Sequence, residues 1–245
     1  MVRARNTDKA AAFVRAVVTA LAPLADADRS AGMKAYMRGQ FDYLGIPTPA
    51  RRAASAPLIR GFAPASADEL RAAAFALWAK HEREYQYVAV DLLARHAKAL
   101  ALADVEWLLE LVAAKSWWDT VDALAKVVGS LVRGGGAAGK RRMDRAVKAR
   151  NLWVRRIAVL HQLGWRQATD TEQLFAYARL LAAEEEFFIR KAIGWALRDY
   201  AWHNWGAVED FLHTDGAALA PLSVREARKN FPELKLQKKK RAPHA

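Results

Sequence analysis

The chain has no cysteine. Disulfides, thiolate nucleophiles, iron–sulfur clusters and zinc–cysteine sites are thereby excluded, and a reducing cytoplasm is compatible with the composition. Glycine (13) and proline (8) are sparse in 245 residues and fall mostly between apolar stretches. Their scarcity, beside abundant alanine and leucine, favours helices over strands. No apolar run approaches ~18 residues without a charge, so no membrane span and no membrane partner is expected. The stretch from Val2 to Leu24 loosely imitates an export signal, but Arg15 interrupts its apolar centre. Asp8 and Lys9 fit a helix start better. The six histidines show no H-E-x-x-H or other ligand spacing. Metal catalysis is therefore not expected.

Acidic residues are also in short supply: 26 Asp and Glu stand against 39 Lys and Arg, a formal charge of +13. Such a balance on a folded domain favours a polyanionic partner, nucleic acid first and an anionic membrane surface second. Lys235, Lys238, Lys239, Lys240 and Arg241 form a C-terminal run that reads as a solvated tail, and without them the body is still basic. With 53% hydrophobic and 27% charged residues, the composition is globular rather than disordered. The expected division is one helical domain over 1–232 and a basic tail over 233–245.

Apolar positions recur at helical spacing almost throughout, and period-2 alternation is absent. The pattern predicts helices over Asp8–Ala22, Ser30–Phe41, Arg51–Gly61, Ala67–Trp78, Glu84–Ala94, Asp104–Ala113, Trp117–Val132, Arg142–Ala149, Trp153–Leu163, Thr171–Ala182, Phe187–Asn204, Trp205–Leu212 and Ser223–Asn230. Breaks are signalled by Gly45 to Pro49, by the glycines between Arg133 and Arg142, and by Pro221. Asp104, Ser116 and Thr171 stand where N-caps belong. A weak repeat runs through these helices: Arg83, Trp118, Trp153 and Phe188 are each 35 residues apart. Tyr87, Asp122, Arg156 and Lys191 follow at spacings of 35, 34 and 35. A unit of that length holds two helices and a turn, so the pattern reads as an α-solenoid of HEAT-like pairs with a concave surface. Equivalent positions then line up as a ladder, and the plain structural account of that ladder is Asp and Arg pairing between neighbouring helices.

The segment Lys115-Ser116-Trp117-Trp118-Asp119-Thr120-Val121-Asp122 is the most unusual in the chain. Adjacent tryptophans on a helix point about 100° apart, so the two do not enter one core. Asp122 follows Trp118 by four residues, on the same face. A carboxylate beside an indole favours positive charge through Coulomb attraction and the ring quadrupole. Trp195 comes one turn after the last ladder position and is a candidate second aromatic wall. Taken singly, each tryptophan is more often core than site.

Trp-Trp-Asp-x-Val-Asp at 117–122, Phe187 to Arg198 followed by Asp199-Tyr200-Ala201, and Leu219 to Ser223 with Arg225-Glu226-Ala227 resemble the AlkD-like DNA alkylation repair glycosylases. So do Tyr36-Met37, Phe41, Leu44-Gly45-Ile46, Thr48-Pro49 with Arg51-Arg52, and Trp153 with Arg156 and Ala158. The resemblance runs in order from about Ser30 to Asn230. It implies an α-solenoid that removes cationic N3- or N7-alkylated purines from duplex DNA without metal or cofactor. A groove-binding monomer is the simplest case, and the expected location is the cytoplasm, on the nucleoid when bound to DNA. It also implies roles: Asp122 as the catalytic aspartate, Trp118 and Trp195 as the active-site tryptophans, Arg156 gripping the backbone, and Tyr36 near the lesion strand. Arg155, Arg190, Lys191, Arg198, Thr48 and Arg52 are the further DNA-binding candidates. In the family the lesion is reported to stay in the duplex.

The chemistry suits those residues, because an alkylated cationic base already leaves readily. An anion and aromatic faces beside the sugar stabilise the oxocarbenium-like charge of the transition state. The glycines from Gly134 to Gly139 depart from the family and read as a flexible basic loop that changes the middle of the concave surface. Gly134 to Lys140 also matches G-x-x-x-x-G-K, but Arg141 replaces the required hydroxyl residue and no strand precedes it. Asp119 reads as a helix-side or capping partner, not as half of a catalytic dyad. Two other functions are compatible with the scaffold: a non-catalytic binder of bent or branched DNA, and a solenoid whose groove takes a partner helix.

Overall fold

The computed structural model describes residues 2–231, with side chains from 8 to 229 and at Phe231. The basic tail over 233–245 lies outside the described residues. Among the described residues every regular element is helical. The chain, read from its sequence as one domain, divides into two compact units, Met1–Lys115 and Ser116–Ala245.

The first unit holds α1 (Val2–Leu21), α2 (Ala27–Tyr36), α3 (Thr48–Gly61), α4 (Ala67–Trp78), α5 (Arg83–Arg95) and α6 (Val105–Ala113). In α4 the causes of a helix are plain. Ser66 accepts the N–H of Glu69, Asp68 and Glu69 occupy the first turn, and Leu70, Ala73, Ala74 and Leu77 bury one stripe. α1 packs on α3 and α4, α4 on α5 and α6, and α3 on α5. Glu84, at the start of α5, is buried and accepts the backbone N–H groups of Leu44, Gly45 and Ile46, which satisfies a loop that has no ladder of its own. α2 stops at Tyr36, short of the expected Phe41, because Arg38 (φ 55°) and Gly39 (φ 72°) turn left-handed. α1 begins at Val2, so Asp8 and Lys9 sit inside a helix, not at its start.

The second unit holds α7 (Trp118–Gly134), α8 (Gly136–Ala146), α9 (Leu152–Leu160), α10 (Thr171–Leu180), α11 (Phe187–Ala201), α12 (Trp205–Asp215) and α13 (Pro221–Ala227). α7, α9, α11 and α13 form one row, each packed on the next; α8 flanks α7 and α9, α10 flanks α9 and α11, and α12 flanks α11. This alternation is the packing of helical repeats. Gly129 and Gly194 allow the row to close. A Cβ at 129 would fall 1.9 Å from the His161 carbonyl oxygen, and one at 194 would fall 2.7 Å from that of Ser223. Side chains tie successive repeats at nearly constant separation: Asp144 to Tyr177 (33 residues), Gly164 to Asp199 (35) and Arg179 to Asp215 (36).

Two expectations are corrected here. The glycine-rich segment is no flexible loop: α7 runs to Gly134 and α8 starts at Gly136, whose φ of 51° makes the corner. Gly139 then lets α8 press on α7, where a Cβ would stand 2.2 Å from the Val132 carbonyl oxygen. Glycine serves close approach there, not freedom. The N-caps also move by one residue. Trp117 precedes α7, and Asp170 caps α10 by accepting the N–H of Gln173, in place of Ser116 and Thr171. Asp104 does precede α6, but its carboxylate caps no backbone N–H of that helix and accepts the Ala101 N–H and the Trp107 indole N–H instead.

Candidate active site

The two adjacent tryptophans diverge, but only Trp118 is helical: Trp117 is extended and precedes α7. Trp117 joins an aromatic cluster with Trp153 and Phe188, at centroid distances of 5.7 and 5.1 Å. Trp118, the first residue of α7, instead lines a cleft of about 190 Å³ with Arg156, Phe187, Phe188, Lys191 and Trp195. Residues from three successive members of the row, α7, α9 and α11, thus meet at one opening in the second unit.

Asp122 lies one turn beyond Trp118 and is clasped by Arg156. Nε donates to Oδ1 and Nη2 to Oδ2, both at 2.7 Å, while Nη1 donates to the Phe188 carbonyl. The Arg156 side chain is 1% exposed and that of Asp122 is 20% exposed. A two-pronged clasp of this kind fixes both carboxylate oxygens in direction as well as distance. Its positive partner also opposes much of the field that the carboxylate projects. The structural account of the ladder, an Asp–Arg pair between neighbouring helices, therefore describes these two positions.

The Trp195 ring is surrounded by cations. Arg156 and Lys191 each stand 5.5 Å from its centroid and Arg198 stands 5.7 Å away. Lys191 and Arg198 in turn donate to Glu226 of α13, at 2.7 and 3.3 Å, and Lys229 donates to it at 2.6 Å. Burial pushes the Glu226 carboxyl up, but Lys191 and Lys229 more than offset that and bring it down to about 2. The cations nearest the cleft, Arg156, Lys191 and Arg198, are each paired with a carboxylate, Asp122 or Glu226.

The expected phosphate-holding residues are arranged otherwise than their charge alone suggests. Arg156 is buried, and its guanidinium is engaged by Asp122 and by the Phe188 carbonyl. Arg155 donates to the carbonyls of Ala149 and Arg150 and pairs with Glu184 at 3.0 Å; Arg190 donates to the Glu184 carbonyl. Lys191 and Arg198 remain partly exposed while bound to Glu226. Tyr36, Thr48 and Arg52 belong to the first unit. Tyr36 ends α2 at 74% exposure, Thr48 opens α3, and Arg52 reaches Asp91 at 3.4 Å. Asp119, in the first turn of α7, accepts the Thr120 N–H. Lys140, the last residue of the apparent phosphate-loop pattern, pairs with Asp170 at 2.7 Å within helical surroundings.

Glu226, Phe187 and Phe188 were not singled out as site residues from the sequence. Two signals for Glu226 were available: its place in one of the motifs that carry the resemblance, and its separation from Lys191, 35 residues, which is one repeat.

The model of a family described as DNA alkylation repair enzyme matches residues 17–231. Among solved structures, a protein of Enterococcus faecalis described as a predicted DNA alkylation repair enzyme is similar, with 35% identity and a TM-score of 0.75 over 85% of this chain and 97% of the other. No curated protein matches.

Proposed function

This chain belongs to the family of DNA alkylation repair enzymes, and from that premise we propose that it is a monofunctional DNA glycosylase for N3- and N7-alkylated purines in duplex DNA. The observation that carries this reading is the convergence of Trp118 and Trp195 on one cleft beside the clasped Asp122 carboxylate. In the proposed reaction the bond from C1′ to the alkylated base breaks, and its electron pair neutralises the cationic purine as it leaves. Water adds to C1′ and gives up a proton. The sugar is positive only in passing, so a fixed carboxylate and two indole faces act mainly on the transition state. Asp122 supplies the charge and orients the water; Trp118 and Trp195 flank the sugar; Lys191 and Arg198, bound to Glu226, stand beside the second indole. The reaction draws on no metal or cofactor, and a monomer suffices.

The Asp122–Arg156 pair gives one reason to keep a second reading, a DNA binder without turnover. A neutralised carboxylate stabilises positive charge less than a bare one. Incubation with a duplex containing 7-methylguanine, followed by heat or alkali to cut abasic sites, decides between them. The glycosylase gives strand breaks at the lesion. A binder gives none and holds damaged and undamaged duplexes equally.

A further inference from the structure

α13 supplies none of the residues that line the cleft, yet it is bound to the cleft's far wall. Lys191, Trp195 and Arg198 sit at i, i+4 and i+7 on α11, one face of one helix. The two cations flank the indole between them, and their ion-pair partner lies on another helix. Both are drawn to the Glu226 carboxylate, whose side chain is only 4% exposed. Two contacts keep that carboxylate in place. Ser223 Oγ donates to the Arg190 carbonyl at 2.8 Å, and Gly194 lets the backbones of α11 and α13 approach so closely that an added Cβ would lie 2.4 Å from Glu226 Cβ.

We propose that Glu226 is a positioning residue for base excision: it anchors Lys191 and Arg198 against Trp195, and so fixes where that indole stands beside the reacting sugar. This rests on the glycosylase reading. A carboxylate in this place does two things at once. It sets the aromatic wall, and it withholds two cations that would otherwise be available to any phosphate. Its loss therefore separates chemistry from binding. Excision falls, because a wall displaced by a fraction of an ångström to 1 Å costs on the order of ten- to a hundred-fold in rate. Affinity for undamaged duplex holds or rises, and its salt dependence steepens by about 0.9 in slope for each newly available phosphate contact.

The test uses the full chain, with Glu226→Gln and Glu226→Asp compared with wild type. Single-turnover release of 7-methylguanine at saturating protein is measured beside the salt dependence of binding to an undamaged duplex. Support consists of rates in the order Glu, Asp, Gln, with affinity unchanged or tighter in both variants. The aspartate matters because it keeps the charge but draws it back by about one bond, ~1.5 Å, and it decides the question if the glutamine variant does not fold. Wild-type rates in a folded variant, or rate and affinity falling together in step with the folded fraction, would overturn the proposal while leaving the glycosylase reading intact. Absence of base release by the wild type removes both.

Discussion

Asp122→Asn is the perturbation that tests most of the argument, because it acts on stability and on chemistry by different routes. Arg156 is 1% exposed and loses the opposing charge and one of its two carboxylate acceptors, leaving the Phe188 carbonyl and the Phe188 and Trp195 rings around a buried charge. Breaking one side of a buried pair costs about 3–5 kcal/mol. Asparagine still offers one acceptor, and position 122 is 20% exposed, so the lower end, about 3 kcal/mol, applies. For a chain of this size that is a fall in melting temperature of roughly 6–12 °C. Adding Arg156→Met removes the stranded guanidinium and recovers most of the loss, since replacing both partners of such a pair is close to neutral. Base release behaves otherwise. It falls on the order of a hundred-fold or more in the single variant and stays low in the stable double variant. Melting curves paired with single-turnover assays, run well below the lowest melting temperature, make the comparison. A double variant that melts no higher than Asp122→Asn would refute the account of the pair. A folded Asp122→Asn protein that excises at the wild-type rate would refute the account of the site.

Other consequences concern the scaffold. His161 is buried, its Nδ1 donating to the Ala158 carbonyl, and burial lowers its pKa from 6.5 to about 4. The unfolded chain thus takes up a proton that the folded one refuses. This contribution is intact above pH ~6.5 and lost as pH falls to about 4, a loss of about 3 kcal/mol; urea unfolding at several pH values should show it in the wild type and not in His161→Gln. Two glycine replacements should move stability in opposite directions, read by thermal melting. Gly129→Ala drives a methyl against the His161 carbonyl and costs about 1–3 kcal/mol. Gly32→Ala, on α2 with nothing within 4 Å of its new methyl, gains about 0.5–1 kcal/mol.

Helices were legible wherever a cap and an apolar stripe agreed, as at α4, whose span was read as Ala67–Trp78 and is Ala67–Trp78. They were misread where glycine had two meanings. The segment from Gly134 to Gly139 signals a break in sequence, and only the neighbouring backbone of Val132 reveals that the absent side chain makes room. For the site, the four-residue step from Trp118 to Asp122 and the 34-residue step to Arg156 were both visible. What the sequence left open was which group faces solvent, since the same arginine serves a phosphate or a carboxylate according to its burial. The role of Glu226 was hidden for a similar reason. A carboxylate becomes an anchor only when another helix brings cations to it, and Gly194 shows that something comes close without showing what.

The bonds between repeats have a bearing on how the second unit comes into being. Ties such as Asp122 to Arg156, Asp144 to Tyr177 and Lys191 to Glu226 each span about one repeat, 33 to 35 residues. Loop closure of that length carries a small entropic cost, and it is met again, in equal instalments, with every added pair of helices. A nascent chain leaving the ribosome can therefore dock each pair on its predecessor as it emerges. The anchor at Glu226 is translated after every residue that lines the cleft, so the opening takes its final form only once α13 has emerged and docked.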